Sequence, residues 1–135
     1  MKLPHNATVA LVDGETFVVM KNTGQIFEPK LEVLTKPDLD PTNKSAGVKH
    51  QDDVGQQTGA TDLDELAHAA AAAEWLNQKA IAGEYADLVV VADPKTLGEM
   101  RRHYHSELEK RLRGELAKTL TGETTDKIAQ SIAAA

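Results

Sequence analysis

The amino-acid sequence predicts an α/β fold in which helices flank a mixed β-sheet, with an antiparallel meander first and parallel strands after it. Three observations support this fold class. Short β-branched runs open the chain, an alanine-rich helical pattern follows, and a continuous apolar run then precedes another helical pattern. The chain has 135 residues, a common length for one domain, so we predict a single domain over residues 1–135.

Three strands are predicted at the start of the chain. Thr8–Val12 is apolar and partly β-branched, which is typical of a buried strand, and a second such run returns after Asp13-Gly14. An Asp-Gly pair supplies the positive φ angles of a tight hairpin turn. Apolar and polar residues then alternate over residues 25–35, where Pro29 favours an edge strand or a bulge.

A polar connection and a long helix follow the predicted meander. Residues 36–61 contain several Pro and Gly and almost no apolar anchors, which predicts a long polar loop. From residue 61 onward, apolar residues recur at helical spacing around an alanine run, and Gly83 is a plausible end for this helix. The residues at helical spacing are Leu63, Leu66, Ala70, Ala73, Leu76 and Ala80.

The second half of the chain predicts a central strand between helices. Residues 87–92 predict this strand, because after Asp87 they form a continuous apolar run, as expected of a buried strand that is parallel to a neighbour. Asp93 caps the next helix, which has Pro94 in its first turn and extends through Tyr104. Residues 125–133 predict a final short helix.

The segment between residues 106 and 121 is compatible with a helix or with a strand. Leucines at a spacing of four favour a helix. Arg113-Gly114 interrupts that pattern, however, and a strand–helix unit usually returns to the sheet. The leucines are Leu108, Leu112, Leu116 and Leu120.

Composition excludes several classes of protein. A chain without cysteine has neither disulfides nor a thiolate metal site. No apolar run approaches the roughly 20 residues that span a bilayer, and the first residues lack the apolar core of a signal peptide. His103 and His105 have no third metal ligand nearby in the sequence. We therefore expect a cytoplasmic protein without membrane insertion, bound metal or small-molecule cofactor.

Charge is unevenly distributed along the chain. The net charge is −6, yet residues 94–118 carry seven Lys or Arg against four Glu. A basic stretch of this kind can follow a phosphate backbone. The interleaved glutamates indicate the alternative, a solvated face with salt bridges. The candidate anion or RNA contacts are Lys95, Arg101, Arg102, Arg111 and Arg113, and the interleaved glutamates are Glu99, Glu107, Glu109 and Glu115.

Asp93 is a further candidate because it directly follows a predicted strand. Ligands of open α/β sheets often bind beyond the carboxyl ends of strands, where the next helix offers free N–H groups. The alternative is that Asp93 only caps the helix. No Gly-rich phosphate loop, nucleophile elbow or rigid carboxylate pair is indicated, so no catalytic residue is predicted and a non-catalytic protein is favoured.

Four stretches of the chain resemble the host-attachment family of bacterial proteins, whose members are described as required for attachment to host cells. The most specific stretch is the apolar strand with the Leu-Gly-x-x-Arg motif that ends at Arg101. That family is in turn similar to the middle domain of archaeal and eukaryotic peptide-chain release factors and Pelota, which implies that residues 113–119 are a strand. The four stretches are residues 9–14, 65–77, 87–101 and 114–121.

In release factors the loop before the main helix carries Gly-Gly-Gln, which acts in the ribosomal peptidyl-transferase centre. The resemblance places Gly55 and Gln56 in the corresponding loop, but Val54 replaces the first glycine and Gln56 stands farther from the helix. These departures argue against hydrolysis of peptidyl-tRNA. The residues favour a non-catalytic protein, and the basic stretch together with the release-factor resemblance leads us to expect contacts with the ribosome or RNA. The alternatives are an adhesion-related or regulatory protein-binding module, and a small hydrolase that uses the 36–61 loop and Asp93.

Overall fold

A five-stranded mixed sheet lies at the centre of the protein. The computed structural model describes residues 1–39 and 59–135. The strands are β1 (Thr8–Val12), β2 (Phe17–Asn22), β3 (Leu31–Thr35), β4 (Leu88–Ala92) and β5 (Leu112–Ala117). Their order across the sheet is β3-β2-β1-β4-β5, with antiparallel pairing among β1, β2 and β3 and parallel pairing among β1, β4 and β5. The predicted fold class is confirmed.

Helices cover both faces of the sheet. The described helices are α1 (Gly59–Ile81), α2 (Pro94–Arg101), α3 (Ser106–Arg111) and α4 (Thr125–Ala134). Helices α1, α2 and α3 pack on one face, and α4 packs on the other. Helix α1 begins slightly before its predicted start, and Gly83, with φ of +72°, follows its end as predicted.

The two central strands are buried along their whole length, as every residue of β1 and β4 is inaccessible to solvent or nearly so. Their alternate side chains contribute to a separate core on each face. On one face the fully buried Ala69, Ala72 and Ala73 let α1 lie close to the sheet. On the other face Ile128 and Ile132 anchor α4. This arrangement fixes the central sheet between two apolar layers.

The connection between β1 and β2 differs from the prediction. It comprises residues 13–16, in which the Asp13 carboxylate accepts hydrogen bonds from the N–H of Glu15 (2.8 Å) and Thr16 (2.6 Å). Gly14 does not have a positive φ. A Cβ atom at Gly14 would lie 2.6 Å from Cγ of Glu65 in α1. A side chain at this position would therefore force the Glu65 side chain to shift. The predicted tight turn is present, since the N–H of Asp13 donates to the carbonyl oxygen of Thr16 (3.0 Å), but the predicted positive φ angles are absent.

Both alternatives for residues 106–121 are realised in succession, as α3 is followed directly by β5. The four leucines lie on both sides of the junction between α3 and β5, so their spacing of four does not mark one face of a single helix. Leu108 packs on the α1 face, whereas Leu116 and Leu120 pack on the α4 face. The strand that the release-factor resemblance implied is present, beginning one residue earlier at Leu112.

Helix α2 ends at Arg101, before the predicted end at Tyr104. The buried Asn77 of α1 explains the earlier end. Its amide donates to the carbonyl oxygen of His103 (2.7 Å), and its side-chain oxygen accepts from the N–H of His105 (2.9 Å). These two bonds hold the connection to α3 in a non-helical conformation.

Asn22, the last residue of β2, joins the N-terminal segment to the hairpin that follows. Its side chain is completely buried. Nδ2 donates to the carbonyl oxygens of Leu3 (2.9 Å) and Pro4 (3.1 Å). Oδ1 accepts from the N–H groups of Gly24 (2.9 Å) and Lys30 (2.9 Å). The side chain thereby uses its full hydrogen-bonding capacity.

We expect Asn22→Ala to lower the free energy of unfolding by about 3 kcal/mol, because buried backbone groups lose their partners. Urea denaturation measures this change. Gln25→Ala, an exposed substitution on the same hairpin, is the control and should change stability by less than about 0.5 kcal/mol. A loss below about 1 kcal/mol for Asn22→Ala would contradict this role.

Candidate functional site

The parallel strands β1, β4 and β5 end together at one edge of the sheet, here called the carboxyl edge. The register places Val12 beside Ala92 and Ala92 beside Ala117. Helix α2 begins at this edge directly after β4. Helix α1 begins there as well, because Asp62 in its first turn lies 2.6 Å from Nζ of Lys95. The predicted candidates Asp93 and Lys95 therefore both lie at the carboxyl edge.

Each of these two candidates has partners within the protein. Asp93 is the N-cap of α2, where its carboxylate accepts from the N–H of Thr96 (3.1 Å). Lys95 forms ion pairs with Asp62 and, at 3.6 Å, with Glu65. The alternative that Asp93 caps the helix is thus observed, while its role in ligand binding stays a prediction.

An open cleft of about 690 Å³ lies at the carboxyl edge. Partial burial opposes ionisation of Asp13 in this cleft, but backbone hydrogen bonds from Glu15 and Thr16 outweigh it and lower the pKa of the carboxyl group. Sequence reasoning missed this cleft because its residues come from distant segments. The polar and glycine residues that line it include Asp13, Thr16, Lys36, Asp38, Thr121 and Gly122.

The predicted loop leaves and rejoins the described structure at this same edge. Asp38 lines the cleft, and α1 begins at Gly59. Gly55 and Gln56, the two loop candidates, lie outside the described residues. The sequence between residues 39 and 59 therefore connects two points of the carboxyl edge.

All four predicted arginine contacts form ion pairs with carboxylates. Arg101 pairs with Glu115 (2.8 Å), and Arg102 pairs with Glu99 (3.3 Å). The interleaving of the two charges in the sequence thus reflects real pairs, as the salt-bridge alternative expected. The remaining pairs are Arg111 with Glu107 (3.0 Å) and Arg113 with Asp87 (2.5 Å).

The pairs differ in how freely the guanidinium groups could contact another molecule. The side chains of Arg101, Arg102 and Arg113 are 56%, 75% and 58% exposed. Arg111 is 24% exposed and also donates to the carbonyl oxygen of Tyr85 (2.9 Å). The partner carboxylates of Glu115, Glu99 and Asp87 are only 17%, 14% and 20% exposed, so each pair leaves its arginine on the solvent side. A guanidinium group has five N–H donors, so an arginine that is paired on one side still has donors for a second anion.

Tyr104 strengthens one of these pairs. Its hydroxyl donates to Glu115 (2.9 Å), the carboxylate that also holds Arg101. Burial, followed by the negative charge of Glu115, raises the pKa of Tyr104, so the hydroxyl stays protonated as a donor. Tyr104 and Arg101 therefore share the carboxylate of Glu115, which holds the Arg101 guanidinium group against the protein.

A second cleft, of about 830 Å³, lies at the opposite edge, where β1 and β4 begin. We call this the amino-edge cleft. Arg111 is the one predicted candidate in its lining, and sequence reasoning did not identify the others. The charged, histidine and tyrosine residues that line it are His5, Lys21, Glu84, Tyr85, Asp87, Glu107, Lys110 and Arg111.

Two further properties concern the described residues as a whole. In residues 1–39 and 59–135, no three His, Asp or Glu side chains come together in a group that could hold a metal ion. Within the same ranges, no helix combines the length and apolarity needed to cross a membrane.

We expect Asp93→Ala to lower the free energy of unfolding by about 1 kcal/mol, because α2 loses its N-cap, whereas Asp93→Asn should retain most of the stability. Thermal and urea denaturation measure both variants. The control is Asp126→Ala, which removes an exposed carboxylate from the first turn of α4 without removing its cap residue, Thr124. Equal loss in Asp93→Ala and Asp93→Asn would contradict a capping role.

We expect the stability of the protein to depend on pH through Glu107, which lines the amino-edge cleft. Hydrogen bonds from Lys110 and then Arg111 lower the pKa of its carboxyl group from 4.5 to about 2. Since the pKa is lowered on folding, the stabilisation is present above pH 4.5 and is lost as the pH falls toward 2. A carbon-13 NMR titration should find the low pKa, and Lys110→Ala should raise it. The control Lys127→Ala breaks a distant pair with Glu123 and should leave the pKa of Glu107 unchanged. An ordinary pKa for Glu107 in the wild type would contradict its contacts with Lys110 and Arg111.

Comparison with protein-family models identifies a family. The sequence model of the family described as bacterial archaeo-eukaryotic release factor family 12 matches residues 6–132. A search of curated proteins finds no match. The family description names release factors, so the release-factor resemblance is confirmed, while attachment to host cells stays a prediction. Because the match runs from the residues before β1 into α4, the chain belongs to bacterial archaeo-eukaryotic release factor family 12.

Proposed function

We propose that this protein acts at the ribosome through contacts with RNA and does not hydrolyse peptidyl-tRNA. Membership of a release-factor family, with a match over residues 6–132, is the observation that carries the proposal. Release factors act on ribosomes, and a mixed sheet with flanking helices is consistent with such a domain.

The exposed arginines are the proposed contacts to phosphate. Arg101, Arg102 and Arg113 each pair with one carboxylate and remain more than half exposed. A guanidinium group can form two parallel hydrogen bonds with a phosphate. Arg111 has a supporting role, since its bonds to Glu107 and Tyr85 hold it against the protein.

The proposal of a non-catalytic role rests on the carboxylates and on the loop sequence. Asp93 and Asp13 both accept backbone hydrogen bonds that organise a helix end and a turn. Val54 replaces the first glycine of the Gly-Gly-Gln motif that the release-factor resemblance implies, beside Gly55 and Gln56. A small hydrolase that uses Asp93 is less well supported, because its carboxylate serves as a cap.

A protein-binding module is the second candidate. The edge strand β3 favours it, since Val33 and Leu34 are 47% and 56% exposed. Apolar side chains on an unpaired edge are typical of a surface that binds another protein. The resemblance to host-attachment proteins is in keeping with such a partner.

Ribosome co-sedimentation over a series of salt concentrations tests the proposal. The wild-type protein should pellet with ribosomes at low salt and less at moderate salt, because bound phosphates release counterions. A triple variant with Arg101→Gln, Arg102→Gln and Arg113→Gln should pellet less and lose about one unit of salt slope for each phosphate contact.

The matched control carries Lys36→Gln, Lys118→Gln and Lys127→Gln. It removes the same net charge from other exposed positions and should pellet like the wild type. Absence of association at low and moderate salt would overturn the ribosomal role. Equal association of the triple arginine variant and the wild type would overturn the assignment of the contact to these arginines.

A further inference from the structure

The hairpin between β2 and β3 has two apolar residues at its tip. The backbones of Gln25 and Glu28 exchange two hydrogen bonds of 3.1 Å, so Ile26 and Phe27 occupy the two turn positions between them. Such positions usually hold Asn, Asp or Gly. Phe27 is 80% exposed and Ile26 is 38% exposed. Packing within the protein therefore does not account for an aromatic residue at this position.

The hairpin is held firmly at its base. Oδ1 of Asn22 accepts from the N–H groups of Gly24 and Lys30, one on each arm. The imidazole Nδ1 of His5 donates to the carbonyl oxygen of Gly24 (2.6 Å). A ring on a fixed turn loses little conformational freedom when it binds a partner, so Phe27 is preorganised for contact.

The cations near Phe27 differ from the arginines described above. Nζ of Lys2 lies 5.8 Å from the centroid of the Phe27 ring, and Lys30 lies on the second arm of the hairpin. Both lysines are exposed, and across the described ranges neither has a carboxylate within ion-pair distance. Every arginine of the chain, in contrast, is ion-paired. These lysines can bind an anion without first breaking a salt bridge.

The hairpin is continuous with the amino-edge cleft. His5, which holds the hairpin at Gly24, also lines that cleft together with Lys21 and Arg111. Asp87, the partner of Arg113, lines it as well. The base of the hairpin thus adjoins the amino-edge cleft, whereas the Phe27 ring at its tip lines a separate, smaller cleft beside Ala129 and Ala133 of α4.

We propose that Phe27 stacks on an unpaired RNA base while Lys2 and Lys30 bind the adjoining phosphates. The inference rests on the proposed function and names a further contact for it. An exposed aromatic ring beside cations suits single-stranded nucleic acid, whose bases present a π-face and whose backbone carries charge. The exposed apolar residues at the tip, Ile26 and Phe27, are flanked by two lysines, whereas the core of a protein–protein interface is depleted of charged side chains.

Fluorescence anisotropy with a labelled, unstructured RNA of 12 nucleotides tests the proposal. Phe27→Ala and Phe27→Leu should each weaken binding by roughly tenfold, because base stacking is lost, whereas Phe27→Trp should stay within about twofold of the wild type. Lys2→Gln with Lys30→Gln should reduce the salt slope by about 1.4, at about 0.7 for each phosphate contact. The matched control is Lys36→Gln with Lys118→Gln, two exposed lysines at the carboxyl edge, which should leave affinity unchanged.

Three results would overturn the stacking site. In the anisotropy assay they are no measurable binding by the wild type, equal binding by Phe27→Ala, and wild-type binding by Phe27→Leu, which shows that an aromatic ring is not needed for the contact. Urea denaturation of each variant confirms folding, which an exposed position should not disturb. Co-sedimentation separates the two proposals: if Phe27→Ala pellets with ribosomes as the wild type does, the stacking site fails and the ribosomal role stands. If the RNA binding depends on Phe27 but the wild type does not pellet, the ribosomal role fails.

Discussion

The parallel pairing of β1 with β4 is the constraint on which the rest of the structure depends. Every residue of both strands is buried, so neither strand can satisfy its backbone N–H and C=O groups with water. Each strand therefore needs a neighbour on both sides, which β2 and β5 complete, and apolar cover on both faces, which the helices supply. The register of Val12 with Ala92 ends the two strands together and creates the carboxyl edge.

The sequence predicts those parts of the fold that depend on local patterns. The apolar run of β4, the alanine-rich face of α1 and the glycine after it each identify an element within a few residues. Local patterns fail where contacts distant in the sequence decide the conformation. Gly14 lies against the Glu65 side chain of α1, and the end of α2 is set by Asn77, although neither partner is a neighbour in the sequence.

The candidate site was likewise predictable only where its contacts join residues that are close in the sequence. Interleaved charges in residues 94–118 correctly suggested salt bridges, and the short-range pairs of Arg102 with Glu99 and Arg111 with Glu107 were accessible to that reasoning. The pair of Arg113 with Asp87 depends on the neighbouring positions of β4 and β5, and it could not be read from the sequence. The exposure of Phe27 was equally hidden, because nothing in the residue types alone shows that a phenylalanine occupies a hairpin tip.

The net charge of −6 limits the orientations in which the protein could approach RNA in the proposed contact. An acidic protein repels a phosphate backbone in most orientations, so attraction is confined to surfaces where cations are exposed or can exchange their partners. The exposed arginines and the lysines beside Phe27 meet that condition in different ways. In the proposed contact the ion-paired arginines would offer their solvent-facing N–H groups to phosphate, whereas Lys2 and Lys30 have no carboxylate partner within the described structure. Repulsion elsewhere would then favour orientations in which these cations face the RNA, so that the acidic composition adds specificity to the proposed contact.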